Sequence, residues 1–186
     1  MVKGRDLDPF FQSVLQLKTV KRAGWLSKVK IENGESVADH TFSMCAMTML
    51  LADIEGLDTC KAMKMVVLHD LAESVVGDYV PGIVAAKKKI GIEKKAMDKI
   101  LSGLPSNVRS EYQNIWKEYL EKKTDIASFV HRLDKLEMAL QANQYARQGY
   151  ARELLAPFFE SAKAAIGDEQ DIVSEILSTL KNAKST

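Results

Sequence analysis

Apolar residues recur at three- and four-residue spacing along most of this chain, and only four prolines and ten glycines interrupt its 186 residues. That pattern confines it to an all-α fold, because strands need alternation at a period of two and such alternation is nearly absent. No internal repeat, low-complexity tract or linker divides the sequence, and its length suits one domain with a sizeable core.

An early helix is predicted over about 8–20, with Phe11, Val14, Leu15 and Lys18 as its stripe. Ser36, with Asp39 three residues on, reads as a capping-box start for a helix through Met44, Met47 and Leu51 to Gly56. A third helix is expected from near Asp58 to Gly77, and its segment Met65-Val66-Val67-Leu68 is apolar on every side, as in a central helix. Residues 77–82, which include Pro81, read as a loop. Further helices are expected over about 83–101, from Pro105 to about 120, over about 124–147 and, as a pair, across 151–181. The 124–147 helix carries Ile126, Phe129, Val130, Leu133, Leu136 and Leu140.

Lys plus Arg total 26 against 25 Asp plus Glu, so the net charge of +1 gives no general attraction for nucleic acid or membrane. No apolar run reaches the roughly 18 residues of a membrane-crossing helix. Residues 1–8 lack the apolar stretch of a signal peptide. Cys45 and Cys60 are too few for a disulfide framework and lack metal-site spacing. A reduced, cytoplasmic protein is expected.

His69 and Asp70 stand side by side at the end of the apolar run, where burying adjacent ionisable groups is costly without a partner. A divalent cation compensates both, since it takes neutral imidazole and ionised carboxylate as ligands. Glu73 follows His69 by four and Asp70 by three, the spacing of one helix face. His40 sits in the first turn of its helix, and Asp134 interrupts a largely apolar stripe between Val130 and Met138. Singly, each has an ordinary explanation: helical histidines are usually core or boundary residues, and Asp134 equally reads as a surface acid. The ordered set is more telling, with His-Asp about thirty residues after the first histidine and an aspartate about sixty-five beyond.

The segments Glu35-Ser36-Val37-Ala38-Asp39-His40, His69-Asp70-Leu71-Ala72-Glu73, Val76-Gly77-Asp78 and Leu133-Asp134-Lys135-Leu136-Glu137 resemble the HD-domain phosphohydrolases, and within them the 5'-deoxynucleotidase branch. The resemblance implies a single all-α HD domain over 1–186, with its metal-site core at about 10–145 and C-terminal helices at 151–183. It implies one divalent ion (Mn, Co, Fe, Zn or Mg) held by His40, His69, Asp70 and Asp134. The implied reaction is hydrolysis of nucleoside 5'-monophosphates, deoxyribonucleotides first, to nucleoside and phosphate. Glu73 and Asp78 are the implied catalytic residues, Arg22 the phosphate-binding one, and Trp25 a residue near the sugar.

Other readings stay open on the residues alone: a nucleotide triphosphohydrolase, a phosphodiesterase, a non-catalytic metal- or nucleotide-binding regulator, or a helical scaffold. Asp39 reads as a cap, Glu137 as a neighbour of the metal ligands or a surface acid, and His131 as structural or supporting. Lysines 87, 88, 89, 94 and 95 read as a solvated face, and Tyr112, Trp116 and Tyr119 as packing. Relatives are often homodimers, which exposed apolar stripes on the late helices would suit.

Overall fold

The computed structural model describes residues 3–79, 86–167 and 170–182. Its helices run in the order α1 (Asp8–Gln16), α2 (Val37–Glu55), α3 (Thr59–His69), α4 (Glu73–Val76), α5 (Ala86–Leu101), α6 (Ser106–Glu121), α7 (Asp125–Arg147), α8 (Arg152–Ile166) and α9 (Ile172–Asn182). A 3₁₀ turn, Gly4–Leu7, precedes α1, and one π-helical turn, Trp25–Val29, lies between α1 and α2. No strand forms among the described residues; one isolated antiparallel bridge joins Lys21 to Ser36.

The start of α7 is capped by the Thr124 side chain, which accepts from the Ala127 amide. This helix packs against α2, α3, α6, α8 and α9, and so forms the spine of the fold. Met44, Met65, Leu68, Leu133 and Leu136 meet around it, each almost completely buried. A second cluster places Trp25, Val29 and Ile31 against Met138, Tyr145, Leu155 and Phe158, which seats the segment between α1 and α2 on α7 and α8. That segment is also pinned at its neck, where the Arg22 amide donates to the Glu35 carbonyl (3.1 Å) and the Val37 amide to the Val20 carbonyl (2.8 Å). Arg22 is thereby held at a fixed point beside the first turn of α2.

Three expectations need correction. The helix expected from Asp58 to Gly77 stops at His69, and a turn through Asp70 leads into the separate short α4. The stripe expected on the first helix is its exposed side: Phe11, Val14 and Leu15 face outward while Ser13 and Leu17 are buried. Both rows satisfy helical spacing, and contact with α4 and α5 selects the row inside. Among the described residues, the large exposed apolar ones also avoid the late helices, apart from Leu154; on α2 they include Phe42 (76% exposed), Leu50 (59%) and Ile54 (59%). Residues 80–85 of the expected loop and next helix lie outside the described residues. No helix of the described residues is long and apolar enough to cross a membrane.

Candidate metal centre and active site

Local backbone rules bring the ionisable residues together. The capping box is formed: Ser36 Oγ accepts from the Asp39 amide at 3.1 Å, and the Asp39 carboxylate accepts from the Ser36 amide at 2.8 Å. This fixes where α2 begins, and His40, in its first turn, is completely buried. At the other end of the pair, α3 closes with Asp70 at φ −108°, ψ 10°, the sparsely used bridge region where active-site residues recur. The turn lets Glu73 open α4, its amide bonded to the Asp70 carbonyl at 2.9 Å. Gly77 then adopts φ +80°, which a side chain would resist, and swings the chain into Asp78. From α7, Asp134 and Glu137 lie one turn apart on the buried side.

The donors of His40, His69 and Asp134 lie within 4.8 Å of one another. Asp70 joins them, its Oδ2 being 3.0 Å from His69 Nε2 and 4.0 Å from His40 Nε2, while Asp134 Oδ1 is 3.4 Å from His40 Nε2. Donors that share one ion at about 2.1 Å sit about 3 Å apart when adjacent and about 4 Å apart when opposite, so these spacings fit one cation. The tautomers agree. His69 Nδ1–H donates to the Val66 carbonyl at 2.6 Å, and His40 Nδ1 is bonded to Glu137 at 2.6 Å, so both Nε2 lone pairs face the centre. Those two Nε2 atoms are buried without a hydrogen-bond partner, the state expected of atoms aimed at an ion. Glu35, His40 and Glu137 form a second gathering of donors, but His40 Nδ1 is taken by Glu137 and Glu35 accepts the Trp25 indole N–H at 2.7 Å. That group is a supporting hydrogen-bond network.

Electrostatics favour the same reading. Burial opposes ionisation of Asp70, but His69 and Arg22 outweigh it and hold the carboxyl well below the usual range. Asp134 behaves alike: burial is overcome by Lys135, His40 and Arg22. Burial and Arg22 push His40 down, yet Asp134 and Glu137 prevail and raise it to about 9. A proton therefore competes with a cation for His40 Nε2, and metal affinity should strengthen as pH rises toward that value. Replacing Glu137 with Gln removes the charge behind His40 and is expected to weaken Mn binding about tenfold without unfolding the protein, as read by calorimetric titration.

Arg22, whose side chain is 15% exposed, lies between the carboxylates, 3.4 Å from Asp70 and 3.9 Å from both Asp134 and Glu35. Asp78 Oδ2 accepts the Ala23 amide at 2.7 Å and so braces the loop that carries Arg22. Around them opens a cavity of about 320 Å³, lined by Arg22, Trp25, Asp70, Glu73, Asp78, Lys89, Tyr119, His131, Asp134, Lys135 and Phe158 among others. The structure thus brings all eight residues singled out by sequence to one site. Trp25 contributes apolar surface, because its N–H is committed to Glu35 and its ring stacks on Phe158 at 4.1 Å.

Sequence reasoning missed Glu35, which burial and then Glu137 raise to about 7, and it left Glu137 undecided. The three-residue interval between Asp134 and Glu137 was the available signal for the latter; Glu35 had none. Of the lysine run, Lys88, Lys94 and Lys95 are exposed as expected, whereas Lys89 turns inward, 3.7 Å from Glu73 and 3.3 Å from Glu93. The Lys87 side chain lies outside the described residues. His131 donates from Nε2 to the Tyr119 carbonyl at 2.8 Å and stacks on that ring, so it does not join the metal ligands.

His40, His69, Asp70 and Asp134 gather at the junction of α2, α3 and α7 as a candidate site for a divalent ion, and the chain belongs to the HD-domain family, whose model matches residues 14–176. Its relatives include the 5'-deoxynucleotidase HDDC2 of Xenopus laevis, 37% identical over 159 residues (85% of this chain, 78% of that protein). The human 5'-deoxynucleotidase HDDC2 is 32% identical over 183 residues, 98% of this chain and 88% of its own. Among solved structures, a conserved hypothetical protein from Pyrococcus furiosus superposes with a TM-score of 0.74 at 29% identity, covering 93% of this chain and 98% of that one.

Proposed function

We propose that this protein hydrolyses nucleoside 5'-monophosphates, 2'-deoxyribonucleotides first among them, to nucleoside and phosphate. One observation carries the reading: two partnerless imidazole nitrogens and two ionised carboxylates converge beside a partly buried arginine. The cavity around them, about 320 Å³, lies at the small end of ligand pockets and suits a mononucleotide. The relatives' activity, as their names give it, supports the substrate class.

His40, His69, Asp70 and Asp134 would hold the ion, and their two imidazoles favour Mn, Co, Fe or Zn over Mg. A divalent ion there supplies Lewis acidity to a phosphoryl oxygen and lowers the pKa of a water. Arg22 offers its planar guanidinium to the phosphate, already oriented by Asp70 and Asp134. Glu73 is 3% exposed and takes the proton of the attacking water. As the new P–O bond forms, the bond to the 5'-oxygen breaks, and the proton that Glu73 took from the water passes to that oxygen, with Asp78 beside Glu73 in the cavity to relay it. Trp25 and Phe158 give the sugar an apolar wall.

The test is phosphate release from ribo- and deoxyribonucleoside 5'-mono- and triphosphates by protein stripped of metal and reloaded with Mn, Co, Mg or Zn. Metal-restored release from monophosphates, deoxy forms preferred, is the expected result. Silence on every monophosphate with metal binding intact would reject it. The protein works as a homodimer in this reading, its copies pairing through the exposed apolar face of α2. A cytoplasmic location agrees with the free thiols of Cys45 and Cys60.

A further inference from the structure

Tyr119, near the end of α6, looks like packing in the sequence and is only 9% exposed. Its surroundings show more. One face of the ring stacks on His131, with centroids 3.9 Å apart and planes at 14°. The ring also meets His69 edge-on, with centroids 5.6 Å apart and planes at 74°. The phenol is therefore wedged between a candidate metal ligand and a second histidine. His131 is itself anchored by its 2.8 Å bond to the Tyr119 carbonyl, which holds the stack in register.

The same ring lines the cavity that contains Arg22, Asp70, Glu73 and Asp134. Among the described residues no group hydrogen-bonds to the Tyr119 hydroxyl. Buried tyrosines ordinarily spend that hydroxyl on a partner, so one rigidly held in a polar cavity without one is available to a ligand. A phenol hydroxyl carries its proton at neutral pH and can donate it. What a metal-bound monophosphate brings beside Asp70 and Asp134 is a set of non-bridging oxygens, which are acceptors.

We propose that Tyr119 is a further catalytic residue, whose phenol O–H donates to a non-bridging oxygen of the substrate phosphate, and that His131 is the residue positioning it. This rests on the phosphohydrolase reading. Charge on those oxygens is redistributed in phosphoryl transfer, so a donor fixed in advance, at no reorganisation cost, assists turnover as well as binding.

The decisive variant is Tyr119→Phe, which keeps the ring, its stack on His131 and its edge on His69 while removing one hydroxyl. With Mn-loaded protein, kcat on a deoxynucleoside 5'-monophosphate should fall about 100-fold, the scale of losing one preorganised donor. Mn content and Tm should match wild type, and inorganic phosphate should bind about tenfold more weakly by calorimetric titration. His131→Leu should also lower kcat, and the double variant should be no slower than Tyr119→Phe, since both act through one hydroxyl. Wild-type kcat and phosphate affinity in Tyr119→Phe would overturn the proposal. So would a loss of bound Mn parallel to the loss of activity, which would make the ring a prop for His69. If wild-type protein releases no phosphate from any monophosphate, the nucleotidase reading falls separately. Phosphate affinity then decides for Tyr119: tenfold weakening keeps it and equal affinity removes it.

Discussion

Asp70→Ala is expected to lower metal-dependent phosphate release by at least about a thousandfold, the upper end of what removing a single charge-stabilising group costs. The reason is cumulative. Asp70 Oδ2 is 3.0 Å from His69 Nε2 and 3.4 Å from Arg22, so one substitution takes a donor from the ion and a partner from the guanidinium. Arg22 then leans on Asp134 and Glu35 alone, and its aim at the phosphate is lost along with the ion. Thermal unfolding with and without Mn separates the two losses. Wild-type protein at 100 times its dissociation constant for Mn gains about 2.7 kcal/mol, and Asp70→Ala should gain almost nothing at the same concentration. Full turnover by Asp70→Ala would sink the metal-site assignment.

Glu73→Gln should leave Mn binding intact and reduce kcat by about 10²- to 10⁴-fold, the range of a general base. Its pH behaviour is the sharper test. Burial first, then Asp70 and Asp78, raise Glu73 from 4.5 to about 10, while Arg22 and Lys89 pull the other way. A cation across Asp70 and Asp134 neutralises part of that repulsion, so the inflection in kcat/KM of loaded enzyme should fall between those limits, and activity should climb with pH. Glu73→Gln should flatten that limb. Stability without added metal has the opposite slope. Between 4.5 and about 10 the folded state keeps a proton that the unfolded chain releases, so this residue's contribution declines as pH rises through that window. Tm measured against pH should show this decline in wild type and a smaller one in Glu73→Gln.

The Glu137→Gln expectation probes a different layer, because that side chain would act on a bound ion only through its contact with His40. Its buried place one turn after Asp134 could be suspected from the three-residue interval, but not its partner, which is 97 residues away. Lys89 shows the same limit. Five lysines read as one solvated face, and only the packing of α5 against α4 separates the residue beside Glu73 from its neighbours.

The first helix makes the point for the fold. Phe10, Ser13 and Leu17 follow helical spacing as well as Phe11, Val14 and Leu15 do, and periodicity cannot rank two adjacent rows. The pairing of Val37 with Val20 and the contact with α4 and α5 do. The break after His69 was illegible for a related reason: no Gly or Pro marks it, and the turn at Asp70 is stabilised by what surrounds its carboxylate, namely His69, Arg22 and His40.

Period and capping are local, so the sequence by itself determined the all-α class, the start of α2 at Ser36 and the extent of α7. The ordered His, His-Asp and Asp segments named the candidate ligands only through the family resemblance they carry, since singly each residue has an ordinary explanation. Tertiary structure alone decided the tautomers of both histidines, the inward turn of Lys89, the clamping of Arg22 between Asp70 and Asp134, and the stacking of Tyr119 on His131. Each of these depends on the distance and charge of residues remote in sequence, which neither spacing nor composition encodes.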